Sequence, residues 1–458
     1  MAMIPDSGYN GEPGRVFMQQ DIMPGDTISL DIKGRPITAV LLPNRGLDCI
    51  VYVRMDDGYL IGIDWEQVSC VQKIEGPIPR KTEKKVVYPA IEQPQVVLLS
   101  TGGTIAGRPD PDTGGLIAGH SAAELYSLVP ELADIARVRV LDLFSVLSEN
   151  MMPAHWVRIA QAVARAIEEG IRGVVISHGT DTLHYTAAAL SFMIQNPSIP
   201  IVLVGSQKSI ERPSSDAALN LIHAVQVASG SDIAEVVVTM FGPTSDQYGI
   251  IHRGTRVRKM HTSARSTFRT INDIPLGIVD EKGIRTLRND YNRRGNPARM
   301  DLKIGVCEDA VLLYFYPGMR PEVVDFYIDH GYKDIVVAGT GMGHCNAMII
   351  DALKRAVDKG ANVFMTSQTL WGSANPYSYQ TGRMLLEAGV TFLGNMLPET
   401  AITKLYWALS QSKDTSFVRG LMKQNIAHEF IDREPPDGYL IYQGGIPEVA
   451  EFLKKERL

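Results

Sequence analysis

Cysteine is scarce in this chain: Cys49, Cys70, Cys307 and Cys345 are four of 458 residues, and no CxxC spacing joins any two. That usage points to buried thiols in a reducing cytosol. No GxxxxGK[ST] occurs, so ATP chemistry is not expected here. No uninterrupted apolar stretch reaches membrane-spanning length, and residues 1–21 lack the apolar core of a secretory signal. Positive charge is not in excess either. With 45 Lys and Arg against 51 Asp and Glu the net charge is −6. That balance argues against a polybasic nucleic-acid binder and leaves any RNA contact local or partner-borne. There is no internal repeat and no low-complexity tract. A cytoplasmic protein without membrane association is expected.

What is present reads as several consecutive units. Residues 1–24 are polar with Gly and Pro and read as a flexible arm. Over residues 25–76 short alternating strands take over. Ile28, Leu30 and Ile32 share a face, Asp57-Gly58 marks a hairpin, and the set reads as a small β-barrel. Residues 77–94, with Pro77, Pro79, Pro89 and Pro94 among lysines, read as a linker. From 95 to 295 strands alternate with helices: apolar runs at 96–100, 174–177, 201–204 and 235–240, helices at 156–169, 184–194 and 214–227. A second such unit spans 305–424. This alternation predicts an α/β protein with a two-domain parallel-sheet core and right-handed crossovers. Residues 289–299 read as a connector and 425–458 as a C-terminal extension.

Two glycine-flanked turns carry the chemistry. One is Thr101-Gly102-Gly103-Thr104-Ile105-Ala106, after the apolar run that ends at Leu99; the other is His178-Gly179-Thr180-Asp181-Thr182. In open α/β sheets ligands gather at the carboxyl ends of strands, and hydroxyls there suit nucleophilic attack on a carbonyl. A threonine hydroxyl needs a base, and a lysine of depressed pKa can serve. The candidate is Lys259, beside Arg258 and near Arg253, Arg256 and Arg265, whose charges would favour the free amine. Glycines at 102, 103 and 179 would let backbone N–H groups approach a substrate closely.

Together TGGTIA and HGTDT resemble the asparaginase family of amidohydrolases, and the resemblance covers roughly residues 95–424. It implies an asparaginase-like two-domain fold with Thr104, Thr180, Asp181 and Lys259 as catalytic residues. Thr104 would be the acyl acceptor; Thr180, oriented by Asp181 and Lys259, would activate water or serve as the alternate nucleophile. Ser148 and Glu149 occupy the place of the family's Ser-Gln or Ser-Glu pair, where Ser148 can donate to the substrate α-carboxylate and Glu149 can pair with its ammonium. Gly103 and Gly179 would line the same site, and no metal is implied. A homodimer is implied, because that family builds each site near a subunit interface. Residues 108–116 take the place of the family's mobile lid without its usual tyrosine, for which Tyr377 or Tyr379 could substitute.

A narrower similarity rests on the front barrel together with Ser-Glu-Asn-Met-Met-Pro at 148–153, Glu-Arg-Pro-Ser-Ser-Asp at 211–216 and Val-Arg-Lys-Met-His-Thr-Ser at 257–263. These are similar to the amide-hydrolysing subunits of archaeal tRNA-dependent amidotransferases. That resemblance implies ammonia release from glutamine or asparagine, with no cofactor in this chain. A separate E-type subunit would use ATP and Mg to activate Glu-tRNA(Gln) and capture the ammonia. The alternative is an autonomous cytosolic L-asparaginase with an extra N-terminal barrel. Other residues read as structure alone: Thr182 as a helix N-cap, His178 as a buried hydrogen-bonding ring, and His344 beside Cys345 as packing. The Arg and Lys of 253–269 read as salt-bridge formers, and Ser214 or Ser215 with Asp216 as a helix start.

Overall fold

Val96, Val97, Leu98 and Leu99 are completely buried, as a strand without polar alternation must be when both faces of its sheet are covered. The computed structural model describes residues 8–44, 49–55, 60–74, 95–109, 116–210, 212, 214–243, 246–295 and 300–435. The expected linker at 77–94, the Asp57-Gly58 turn, the centre of the lid at 110–115, and residues 436–458 lie outside them.

Val96–Gly102 belongs to an eight-stranded sheet. From one edge to the other its order is Val138–Val146, Val96–Gly102, Gly173–Ser177, Ile201–Val204, Val236–Phe241, Gly249–Arg253, Gly277–Asp280 and Gly283–Thr286. The first five strands are mutually parallel. The last three are antiparallel, so the sheet is mixed rather than wholly parallel. Those three are short and partly polar, and no helical period separates them, which is why alternation of strand and helix did not reveal them. The second domain has a four-stranded parallel sheet of Ala310–Tyr314, Asp334–Gly339, Asn362–Ser367 and Thr391–Phe392.

One apolar core runs through both domains, taking in Val174 and Leu190 from the first and Val336, Phe364 and Trp407 from the second. The helix Pro398–Gln411 is its keystone. It lies along Leu183–Met193, with the Trp407 ring stacked 5.9 Å from Phe192. Polar threads cross the same boundary. Thr400 Oγ1 donates to Thr255 O (2.9 Å), Thr255 Oγ1 donates to Ala427 O (2.8 Å), and the fully buried Arg256 donates to the carbonyls of Asn395 and Glu429. Lys404 and Glu429 form an ion pair with no exposed side-chain surface.

Ahead of this core stands a five-stranded antiparallel sheet in the order Leu60–Asp64, Ile50–Met55, Arg35–Leu41, Thr27–Ile32 and Val68–Lys73. Its own core gathers Ile28, Leu30, Val51, Val53 and Val71. The segment expected to be a flexible arm contributes to that core. Gly11–Gln19 is a helix, and Phe17 is 1% exposed, edge-on to Tyr9 and Trp65. Its Gly and Pro fall at the helix start, where Pro is tolerated, so composition concealed an element that Phe17 anchors. Of the four thiols only Cys345 is buried; Cys49 and Cys70 are exposed, contrary to expectation, because both sit on the thin front sheet.

Candidate active site

Strands Val96–Gly102 and Gly173–Ser177 are parallel neighbours with Ser100 opposite Ser177, so the two glycine turns leave the sheet side by side. Thr101 Oγ1 ties them by donating to Ser177 O at 2.8 Å. Gly102 and Gly103 then take φ of +95° and +79°, a region in which side chains are rarely tolerated. A Cβ on Gly103 would lie 2.2 Å from Gly179 N, and one on Gly179 would lie 2.7 Å from Ser148 Cβ. The glycines therefore let three backbone segments touch each other. Gly103 N–H is spent on Val146 O at 2.9 Å, so it is not the free donor that the sequence suggested.

Four of the expected residues converge here. Lys259 ends the strand Val257–Lys259, paired with Phe268–Thr270, and its side chain is 11% exposed. Its Nζ donates to Thr180 Oγ1 (2.9 Å) and to Asp181 Oδ1 (2.6 Å). Ser148 sits on the other side of Asp181: Asp181 N–H donates to Ser148 Oγ (3.3 Å), which itself lies 3.5 Å from Asp181 Oδ2. Thr180 is buried, whereas the Asp181 side chain is 64% exposed and open to an incoming cationic group. A hydroxyl, an amine and a carboxylate in sequence is the arrangement that proton transfer from a weak nucleophile requires.

Two expected residues stand apart. Thr104 opens the short turn Thr104–Ala106, next to the Gly103–Gly179 contact, but no hydrogen bond joins its hydroxyl to Thr180, Asp181 or Lys259. Glu149 is exposed on the turn after Ser148. Gly107–Pro109, directly after that Thr104 turn, pairs antiparallel with Leu116–Ala118, at the two ends of the segment expected to form a lid.

The arginines expected to crowd Lys259 are each committed elsewhere. Arg253 pairs with Glu235 (2.8 Å), Arg265 with Asp246 (2.7 Å), Arg256 with backbone carbonyls and Arg258 with Glu399 (2.5 Å). The charged group in hydrogen-bond contact with Lys259 is instead the Asp181 carboxylate. Thr182 stands at the N-cap position, yet its hydroxyl donates to Ser148 O at 2.7 Å and fastens the two turns. His178 is a core histidine. Gly179 O can only accept, so Nδ1 carries the proton (2.6 Å), Nε2 meets Thr186 Oγ1 (2.8 Å), and burial lowers its pKa to about 4. Asp216 does not cap its helix; its buried carboxylate accepts from Gln207 and Lys208 N–H and from Asn220. His344 contacts Thr381 and the edge of Tyr379, while Tyr377 and Tyr379 stay exposed. Sequence reasoning missed Glu399, a buried carboxylate from the second domain behind Lys259; nothing in its local sequence marks it.

Comparison with known proteins shows the family. The asparaginase N-terminal family matches residues 95–292 and the glutaminase/asparaginase C-terminal domain matches 310–422. Solved structures of the same class include the thermostable L-asparaginase of Thermococcus kodakarensis. It is 33% identical with a TM-score of 0.66, and the match covers 73% of this chain and 99% of that one. The curated relatives extend further. The D subunit of glutamyl-tRNA(Gln) amidotransferase from Sulfurisphaera tokodaii is 42% identical over 94% of this chain and 96% of that protein; its counterpart from Pyrococcus furiosus is 47% identical over 85% and 90%. The chain thus belongs to the asparaginase family, in the branch formed by the D subunits of glutamyl-tRNA(Gln) amidotransferase.

Proposed function

We propose that this chain, an amidohydrolase subunit of the glutamyl-tRNA(Gln) amidotransferase type, releases ammonia from glutamine or asparagine for an E-type partner subunit. That partner would use ATP and Mg to activate the glutamate of Glu-tRNA(Gln). The observation that carries the chemistry is Lys259 Nζ, 2.9 Å from the Thr180 hydroxyl and held at 2.6 Å by Asp181.

In this reading the Thr104 hydroxyl oxygen attacks the side-chain amide carbon, and nitrogen leaves as ammonia after taking up a proton. Water then cleaves the threonine ester, yielding the carboxylic acid and restoring the hydroxyl. Lys259 passes the proton from the attacking hydroxyl toward the departing nitrogen, and Asp181 fixes its position. Thr180 activates the water or acts as the alternate nucleophile. Ser148 and Glu149 receive the α-carboxylate and α-ammonium, with Gly103 and Gly179 supporting them. The chain works in the cytoplasm as a homodimer, each site close to a subunit boundary. The front sheet curls into a small barrel around Phe17 and Leu30. An autonomous asparaginase is disfavoured, since the solved asparaginase spans 73% of the chain and the D subunits up to 94%.

The test is ammonia release from glutamine and asparagine by the chain alone, then with an E-type subunit, ATP, Mg and Glu-tRNA(Gln). Stimulation by the complete mixture supports the reading. Full activity alone, best with asparagine and indifferent to the mixture, refutes the amidotransferase part.

A further inference from the structure

Successive side chains on a strand point to opposite faces. On Val257–Lys259, Lys259 turns toward Thr180 and Asp181, while Arg258 turns toward the second domain. There Arg258 Nη1 meets Glu399 Oε1 at 2.5 Å. Glu399 is the second residue of the helix Pro398–Gln411, and its side chain is 4% exposed. The Tyr314 hydroxyl, from the end of strand Ala310–Tyr314, lies 3.5 Å from the same oxygen. Among the described residues Oε2 of Glu399 has no hydrogen-bond partner. The pair is therefore a single-pronged charge contact, with Glu399 buried and Arg258 partly exposed.

An ion pair that takes a carboxylate out of water seldom stabilises a fold more than apolar packing of the same volume would. Its effect here is positional. The helix that carries Glu399 also packs along Leu183–Met193, which starts directly after Thr182. Both parts of the catalytic set, Thr180-Asp181 on one side and Lys259 on the other, thus rest on one helix of the second domain.

We propose that Arg258 and Glu399 are positioning residues: the second domain, through Glu399, sets the distance from Lys259 to Thr180. This rests on the catalytic role given to Lys259 above. A reacting group displaced by about 1 Å can lose on the order of a hundredfold in rate, while substrate held by Ser148 and Glu149 would bind unchanged.

The test measures kcat and KM for ammonia release by the full chain, with its partner subunit and acceptor present. Arg258→Gln and Glu399→Gln should each lower kcat about tenfold or more, with KM shifted by less than about twofold. The double variant should be no worse than either single one. Arg258→Lys should keep most of kcat, since a single-pronged contact asks only for a cation. A purely structural pair would lower thermal stability and leave kcat per folded molecule intact; that result overturns the proposal, as does a loss confined to KM. Should the Gln variants not fold, Glu399→Asp withdraws the charge by one methylene and is read the same way. Full activity in Lys259→Ala would refute the underlying assignment. An inactive Lys259→Ala beside a fully active Glu399→Gln would refute only this inference.

Discussion

Gly179 faces Ser148 so closely that a Cβ on the glycine would lie 2.7 Å from the Cβ of the serine. Ser148 O meanwhile accepts the Thr182 hydroxyl at 2.7 Å. The turn of Ser148 and the turn of Thr180 and Asp181 are one mechanical unit, and the missing side chain at 179 is what lets them join. Gly179→Ala should push Ser148 outward and raise KM for the amide donor about tenfold. Steady-state kinetics with a folded variant and unchanged KM would contradict this.

Gly103→Ala meets a harder obstacle. The new Cβ would lie 2.2 Å from a backbone nitrogen, at φ of +79°. A clash with backbone cannot be relieved by a rotamer change, so a loss of about 1–3 kcal/mol in unfolding free energy is expected. Urea denaturation measures it, and a midpoint equal to the parent would show that the turns can separate freely.

The two threonines can be told apart by trapping. Thr104→Ala should form no acyl-enzyme with a reactive amide analogue, whereas Thr180→Ala should form it about 10²–10⁴-fold more slowly. Peptide mass spectrometry reads the adduct. An adduct found on Thr180 in the Thr104→Ala protein would reverse their roles.

Acid should destabilise the fold before it protonates most carboxylates. Burial holds His178 down at about 4, and His184 and His252 at about 3. The unfolded chain takes up these protons near pH 6.5 and the folded chain does not, so stability falls as pH drops from about 6.5 to 4. For His178 alone the loss is on the order of 3 kcal/mol. His178→Asn should flatten part of that slope in unfolding measured between pH 7 and 4, and an unchanged slope would remove His178 from the account.

Lys404 and Glu429 are wholly buried, and Glu429 also accepts the backbone N–H groups of Ile426 and Ala427. Lys404→Met leaves a buried carboxylate without its cation and should cost about 3–5 kcal/mol. Removing both charges, in the Lys404→Met, Glu429→Gln double variant, should cost less than Lys404→Met alone, because no buried charge is then left unpaired. Equal unfolding midpoints for the double and the single variant would argue against an uncompensated charge as the cause.

Much of this site was legible in the sequence for a physical reason. Thr180, Asp181 and Lys259 are the residue types that an activated hydroxyl demands, and a glycine turn after a buried strand announces where they stand. Glu399 was not legible, because a buried carboxylate within a helix looks like any surface glutamate until a partner from another domain is seen beside it. Gly103 was legible as a special position but not in its duty: the residue that lets a backbone approach a ligand also lets it approach another backbone. The antiparallel edge of the large sheet escaped because its strands are partly polar and no helix separates them, so the alternation of strand and helix stops there. The helix Gly11–Gln19 escaped because Gly and Pro at its start outweighed the single anchor Phe17.

The threads from Thr255 and Arg256 to Thr400, Asn395, Ala427 and Glu429 cross from one domain to the other immediately beside Lys259. Cutting the polypeptide between residues 302 and 310 would therefore not liberate a self-sufficient catalytic half. Two separately produced pieces should be silent alone and regain activity on mixing, with a rate that depends on their concentrations. In evolutionary terms the two domains cannot drift independently, and shuffling either one onto a new companion would first have to rebuild this seam.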